Sequence, residues 1–161
     1  MKKLLLMMIV EFLCLQMKAQ TSTYKGAWFE VKYTTEFTAK GSIASKTSES
    51  RNFDSAFFYS PDGEVEFYVF SPQWSGEATD IALQPNEKEV SREVKKGKKL
   101  TVTHWTIAEK KHSYTRSYQQ THNNLENTTW IVGVKYKSIK SYNKYKKEYV
   151  AFKKSLVQFA D

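Results

Sequence analysis

The sequence predicts an α+β domain in which an antiparallel sheet of about five to six strands packs against a long C-terminal amphipathic helix. Three observations lead to this fold class. Apolar residues alternate with polar ones in several short segments, a Pro-Asp-Gly turn separates two of those segments, and residues 142–159 carry apolar side chains at steps of three and four. Alternation is typical of half-buried strands, whereas steps of three and four are typical of one helix face.

The strand signals lie in several segments of the chain. Between residues 28 and 37, apolar side chains alternate with polar ones. Residues 57–59 lead into a turn at residues 60–63, and apolar side chains lie on both faces of residues 65–70. Proline fixes φ and glycine tolerates the positive φ that closes such a turn, so this stretch predicts a hairpin. The later strand-like segments are residues 100–107, 112–119 and 130–136.

Two stretches leave their structure open. Residues 38–52 are rich in Ser, Thr, Lys and Ala without a clear period, which indicates a loop or a marginal helix. In residues 84–99, Asn86 could cap one short additional helix that carries Val90 and Val94 and ends at a glycine. The alternative is a solvated, charged loop. The spacing of the two valines favours the helix.

The C-terminal segment gives the strongest single signal for a helix. Five lysines, at positions 144, 146, 147, 153 and 154, lie between its apolar residues, so one face is apolar and the other largely basic. Ser141 is the predicted N-cap, and the helix is expected to run for about five turns. The apolar stripe consists of Tyr142, Tyr145, Tyr149, Phe152, Leu156 and Phe159.

A cleavable signal peptide is predicted over residues 1–19. Lys2 and Lys3 precede an apolar run, and Ala19 supplies the small residue that signal peptidases cut behind. The run is too short to cross a bilayer, which takes about 20 apolar residues. Cleavage after Ala19 predicts an exported protein, periplasmic or secreted. Two alternatives are a buried N-terminal helix and a lipoprotein acylated at Cys14.

The predicted mature chain, residues 20–161, has the length of one domain and a positive charge. The full chain has a formal net charge of +8, and three lysines and one glutamate leave with the signal peptide, which gives about +6. Cys14 is the only cysteine, so the mature chain has no disulfide and no thiol chemistry. Basic charge suits an acidic protein or an anionic envelope surface as partner, and export argues against nucleic acid. No transmembrane segment is predicted in the mature chain.

Few side chains form a pattern typical of catalysis or metal binding. His104, His112 and His122 lack the i, i+4 spacing of metal sites, so no metal or other cofactor is predicted. The Ser-x-x-Lys pattern from Ser141 to Lys144 lacks the companion motifs of penicillin-binding enzymes, and a helix cap explains it better. The carboxylates Asp62, Glu64 and Glu66 are interpreted as a solvated acidic edge. The sequence therefore predicts that the protein is not an enzyme.

Four residues are candidates for binding. Trp74 lies in a turn-like stretch with no periodicity to bury it, and it is either a binding anchor or a lid over the core. Arg116 lies on a strand face rich in tyrosine, where it either grips a carboxylate or phosphate or stacks, exposed, on a tyrosine. Lys144 and Lys147 lie on the polar face of the predicted helix. They either contact an anionic partner or are simply solvated.

The order of these features resembles the PsbP-like fold, a group of exported or partner-binding domains. The shared features are the opening strand at residues 29–33, the antiparallel run over residues 100–137 and the closing helix around residues 152–156. The Pro and Trp that often follow the first strand of that group are missing after Tyr33. The resemblance implies an α/β/α-type sandwich that binds proteins or ligands without catalysis, and no functional residue carries over.

Three functions remain open on this evidence. The first is a non-enzymatic exported domain that binds another protein, as an accessory or inhibitor (immunity-type) protein. The second is a carrier or sensor of a small hydrophobic or anionic ligand, held between helix and sheet where tyrosines would line a pocket. The third is a hydrolase that uses scattered Asp, Glu and His. Small size, basic charge and the lack of a catalytic pattern favour the first.

Overall fold

The computed structural model describes residues 20–48, 52–74 and 76–159. The predicted signal peptide and Cys14 lie outside these residues. In this part of the chain one α-helix, α1 (Ile139–Lys154), precedes the last strand, and a 3-10 turn spans Thr79–Ile81. The strands are β1 (Thr21–Lys25), β2 (Phe29–Thr34), β3 (Thr38–Gly41), β4 (Ser55–Tyr59), β5 (Val65–Phe70), β6 (Glu87–Lys96), β7 (Leu100–Glu109), β8 (Thr115–Asn123), β9 (Thr128–Tyr136) and β10 (Val157–Gln158).

These strands form two antiparallel sheets. The larger sheet has seven strands in the order β3-β4-β5-β9-β8-β7-β6, and the smaller sheet has three in the order β1-β2-β10. Every neighbouring pair runs antiparallel. The predicted α+β class, with an antiparallel sheet and a C-terminal helix, is confirmed. The predicted number of five to six strands is too low, because short strands and a charged edge strand carry little apolar alternation.

The β4–β5 hairpin forms at the predicted turn. Gly63 adopts a φ of +66°, in the left-handed region. Its N–H donates to the Ser60 carbonyl at 3.0 Å, and the N–H of Val65 donates to Ser60 Oγ at 2.9 Å. With the turn closed in this way, the register places Phe58 opposite Phe67.

Helix α1 and the smaller sheet cover one face of the larger sheet. The Phe152 ring on α1 lies 5.3 Å, centroid to centroid, from Phe67 and 5.0 Å from Phe58. Phe29 and Val31 of β2 are fully buried in the same cluster. Successive strand residues point to opposite faces, so the alternation of β2, β4 and β5 brings these side chains together.

The opposite face of the larger sheet carries a second apolar cluster. The α/β/α sandwich implied by the resemblance would place a helix over this face. Among the described residues a loop with the 3-10 turn lies there instead, and Ile81 of that turn packs on the cluster. Because β5 contributes to both clusters, both of its faces are apolar. The sheet residues of this cluster are Tyr68, Phe70, Trp105, Ile107, Tyr118 and Ile131.

The short helix predicted within residues 84–99 is wrong, because that stretch contains strand β6. This strand pairs with β7 along its length, with a bulge between Glu89 and Ser91. Val90 and Val94 are 50% and 48% exposed, so they form no buried helix face. Hydrogen bonds to β7, not local side-chain spacing, set the conformation of this segment.

Residues 38–52 also contain a strand that the sequence did not predict. Thr38–Gly41 forms β3, which pairs with β4 at the edge of the larger sheet. Farther along, Ala44 and Phe53 form an isolated bridge. The sequence gives little signal for this strand, because Thr38 and Lys40 are polar and only the small side chain of Ala39 packs on the core.

Helix α1 begins earlier and ends earlier than predicted. Ser138 is the N-cap, because its hydroxyl accepts the N–H of Ser141 at 3.1 Å, which places Ser141 inside the first turn. The helix ends at Lys154, since Val157–Gln158 pair with β2. Phe159 therefore lies beyond the helix. The centre of the predicted stripe is confirmed by the buried side chains of Tyr145, Tyr149 and Phe152.

Candidate binding surfaces

Lys144, a predicted binding residue, forms an ion pair with the β4–β5 turn. Its Nζ lies 2.7 Å from Asp62 Oδ2, and the Tyr145 hydroxyl donates to the same oxygen at 2.8 Å. Ser60 Oγ donates to the other oxygen of Asp62 at 2.7 Å. The hydrogen bond from Lys144, aided by these hydroxyls, holds the pKa of Asp62 far below its usual range.

Glu64 joins the same turn to the N-terminal end of α1. It accepts from Lys137 Nζ at 3.1 Å and from Ser141 Oγ at 3.0 Å. These two hydrogen bonds, that from Lys137 first, lower the pKa of Glu64. Asp62 and Glu64 are partly solvated, as predicted for an acidic edge, but both also have ionic partners on α1 or just before it, which the sequence did not predict. Side chains more than 70 residues away in the sequence supply these contacts.

A stripe of lysines lies on the outer side of α1, and we call it the lysine face. Its members are exposed. No carboxylate of a described residue lies within 4 Å of any of their Nζ atoms. Lys147, a predicted binding residue, belongs to this face, whereas Lys144 lies beside it and is paired with Asp62. The lysine face consists of Lys140, Lys146, Lys147 and Lys154.

Trp74 lies between two grooves on the loop after β5. Its side chain is 46% exposed, and its carbonyl accepts the N–H of Thr129 at 3.2 Å, which anchors the backbone to β9. One groove, of about 580 Å³, is also lined by Gln73, Gln158 and Phe159; we call it the Trp74 groove. Phe159 is itself 44% exposed. The indole therefore forms part of an open surface, and the alternative of a lid over the core is wrong.

Arg116 is buried, so the exposed strand face predicted for it is wrong, although its guanidinium group does lie over the Tyr118 ring, 5.5 Å from the ring centroid. One guanidinium nitrogen donates to the carbonyl of Ile81 at 2.9 Å and to the Tyr118 hydroxyl at 3.1 Å. The other donates to the carbonyl of Ala82 at 3.0 Å and pairs with Glu87 at 2.5 Å. Arg116 does grip a carboxylate, but that carboxylate belongs to this chain.

Glu87 is held ionised by this network. Burial acts to raise its pKa, but the hydrogen bonds from Arg116, from the N–H of Gln84 and from the Tyr114 hydroxyl outweigh it, and the pKa is lowered. The Gln84 N–H lies 2.8 Å from Glu87 Oε2, and the Tyr114 hydroxyl 2.8 Å from Oε1. The network fastens the loop before β6 to the open face of the larger sheet.

Glu66, the third carboxylate of the predicted solvated acidic edge, is half-buried, so that interpretation is wrong for this residue. It lies next to Lys135 in the register of β5 and β9, and Arg116 follows in the same row on β8. Burial raises its pKa, and the nearby charges of Lys135 and Arg116 partly offset the rise. The signal available in the sequence was its place between Val65 and Phe67, on a strand that is apolar on both faces.

Among residues 20–48, 52–74 and 76–159, no three His, Asp or Glu side chains lie close enough together to ligate a metal ion. The only α-helix found there, α1, lacks the length and apolar character needed to traverse a bilayer.

The fold, but not the sequence, is similar to known proteins. No protein-family model and no curated protein matches the chain by sequence. The solution structure of PsbP from the cyanobacterium Synechocystis sp. PCC 6803 matches with a TM-score of 0.53 at 10% identity, over 88% of this chain and 94% of that one. The Ran-binding protein Mog1p from Saccharomyces cerevisiae matches with a TM-score of 0.42 at 7% identity, over 89% and 97% of the two chains. The predicted resemblance to the PsbP-like fold is confirmed, and at this identity it is a likeness of fold alone.

Proposed function

We propose that this chain is an exported, non-enzymatic protein-binding domain, of accessory or inhibitor type, whose partner is acidic. The observation that carries the proposal is the lysine face. Four exposed ammonium groups lie on one side of α1 without a described carboxylate within 4 Å. A concentration of one charge attracts a surface of opposite charge and raises the rate of association.

Trp74 supplies an apolar contact that charge alone lacks, at the side of a groove whose lining is otherwise mostly polar and includes Glu126. Exposed tryptophans on loops are common anchors of protein interfaces, because they bury a large area at little cost in conformational entropy. Phe159 places a second aromatic ring in this groove. Since Phe159 follows Lys154 by only five residues, the groove lies close along the chain to the end of the lysine face.

Two of the four predicted binding residues take part in the fold. The two terminal guanidinium nitrogens of Arg116 donate to Glu87, Tyr118 and two carbonyls of this chain. Lys144 pairs with Asp62. We therefore assign partner contact to Trp74 and Lys147, and a supporting role to Arg116 and Lys144.

A charge-reversal experiment tests the partner's acidity. The purified protein, immobilised, is incubated with envelope extract at low and at physiological salt, where screening lengths differ by severalfold. We expect capture of an acidic protein that declines with salt and is lost in the double variant Lys140→Glu/Lys147→Glu. The matched control is Lys88→Glu/Lys96→Glu on β6, which changes the net charge equally and should retain capture.

An equal loss of capture in both double variants, or capture that does not change with salt concentration, would overturn the electrostatic proposal. Trp74→Ala should weaken capture while leaving the thermal midpoint unchanged. This result would show that the side chain acts in binding and not in folding. Binding of the protein to phosphatidylglycerol vesicles without capture of any protein would replace the acidic protein with an anionic envelope surface.

Export has its own test. Intact-mass analysis of the protein isolated from the envelope fraction should give a chain that begins at Gln20. A diacylglycerol-modified chain that begins at Cys14 would identify a lipoprotein, and an uncut chain in the cytoplasm would contradict export.

A further inference from the structure

A cleft of about 310 Å³ lies between α1 and the larger sheet, on the side of β8 and β7 that the helix leaves open. This volume is at the small end of the range for small-molecule sites, roughly 300–1,000 Å³. Strand residues form its floor, and side chains of α1 form its roof. The residues that matter are His104, Gln119, Tyr136, Tyr142, Tyr149 and Lys153.

Lys153 is a half-buried cation at the edge of this cleft. Its Nζ donates to the neutral oxygen Oε1 of Gln119 at 2.9 Å and lies 5.7 Å from the centroid of the Tyr149 ring. No carboxylate of the described residues lies within 4 Å of it. Burial lowers the pKa of Lys153, since nothing nearby neutralises the ammonium group. A cation withdrawn from water without an anion is costly, and an anionic ligand would relieve that cost.

Tyrosines give the cleft its apolar walls. The rings of Tyr136 and Tyr142 lie 5.2 Å apart, centroid to centroid, at an angle of 44°. Tyr149 is mostly buried, and no hydrogen bond joins its hydroxyl to a described residue. The lining contains no Asp or Glu. One ammonium group, an unused hydroxyl and aromatic walls suit a small anion with a flat apolar body.

We propose that this cleft binds a small aromatic carboxylate, with the carboxylate on Lys153 Nζ and the ring against Tyr142 and Tyr149. This site goes beyond protein binding and does not depend on the lysine face, because Lys153 is not one of its members. The charge of its lining favours an anionic ligand in this cleft and not in the neighbouring cleft over Glu66. The neighbouring cleft contains carboxylates as well as lysines, whereas the lining of this cleft contains no acidic residue.

Benzoate is the probe, and benzamide, which has the same shape without the charge, is its control. In a titration of the purified protein followed by NMR, benzoate should shift the amides of Gln119 and Lys153 and saturate. Benzamide should bind at least about tenfold more weakly, because losing one charge-assisted hydrogen bond lowers the affinity by about that factor. Benzamide binding as tightly as benzoate, or no saturable shift with benzoate, would overturn the proposal.

Two variants locate the site. Lys153→Met should weaken benzoate about tenfold and leave benzamide unchanged, whereas the exposed neighbour Lys154→Met should have no effect on either. Tyr149→Phe, which removes only a hydroxyl, should weaken benzoate less than Lys153→Met while keeping the thermal midpoint. Equal effects of Lys153→Met and Lys154→Met would show non-specific attraction and overturn the assignment.

Discussion

Arg116 and Glu87 form a buried ion pair in which a guanidinium nitrogen lies 2.5 Å from a carboxylate oxygen, and their side chains are only 7% and 2% exposed. The same guanidinium group also binds the carbonyls of Ile81 and Ala82. These carbonyls belong to a loop that no strand pairs with. Arg116 therefore supplies, from the sheet, the hydrogen bonds that secondary structure does not provide for this loop.

Loss of either partner of this pair should be strongly destabilising. Arg116→Met leaves Glu87 buried without its cation, and we expect the free energy of unfolding to fall by about 3–5 kcal/mol. The double variant Arg116→Met/Glu87→Gln should lose much less than the sum of the single variants, because no buried charge is then left alone. Urea unfolding of the three variants at neutral pH measures this coupling. Additive losses would contradict the pairing.

The contact of Asp62 with Lys144 should make stability depend on acid pH. The folded state keeps Asp62 ionised to a lower pH than the unfolded chain does, because Lys144 first, and then the two hydroxyls, bind the carboxylate. Its stabilisation is therefore complete above the ordinary carboxyl pKa of about 3.9 and is lost as the pH falls below that value. Asp62→Asn should be less stable than the unmodified protein at pH 7, and this difference should shrink towards zero in acid.

The control for this pH series is Glu36→Gln. Glu36 is exposed and forms no ion pair with a described residue, so its variant should differ from the unmodified protein by a constant amount. Urea midpoints between pH 7 and the acid limit of folding give both curves. A constant difference for Asp62→Asn as well would mean that the pair contributes nothing.

The elements that the sequence predicts well are those whose signal is local. The hairpin depends on a turn whose proline and glycine are adjacent to its strands, and the apolar stripe of α1 repeats within one helix. The sequence of strand β6 contains no such local signal. Its valines are exposed and its charges alternate in sign, which is typical of an edge strand protected against association. Only its pairing with β7, a non-local interaction, distinguishes it from a helix.

The candidate binding residues show the same difference between local and non-local signals. The sequence could identify Trp74 because no periodicity buries it, and Lys147 because it lies on the polar side of a clear helix. It could not find the partners of Arg116 and Lys144. Glu87 comes 29 residues before Arg116, and Asp62 comes 82 residues before Lys144, so only the strand order and the packing of α1 bring them together.

The core side of α1 should carry the stability of the fold, and its lysine face should not. Phe152 is 1% exposed and contacts the rings of Phe58 and Phe67. Phe152→Ala should lower the free energy of unfolding by about 3–5 kcal/mol, as other deletions of buried aromatic rings do. Lys147→Gln, on the exposed side of the same helix, should change it by no more than about 0.5 kcal/mol. Similar losses for both, in urea unfolding, would refute this division.

Gly133 makes room for the Tyr118 ring on the open face of the larger sheet. In the register of β5, β9 and β8 it lies between Tyr68 and Tyr118, whose rings meet edge to face with centroids 5.8 Å apart. A Cβ at Gly133 would overlap the Tyr118 ring, so Gly133→Ala should cost about 1–3 kcal/mol as an overpacked core does. Without that overlap the same change would stabilise the strand, because glycine weakens a strand interior. In a Tyr118→Leu background, Gly133→Ala should therefore cost much less, and thermal unfolding of the four proteins measures the difference. An undiminished cost there would place the strain somewhere other than the Tyr118 ring.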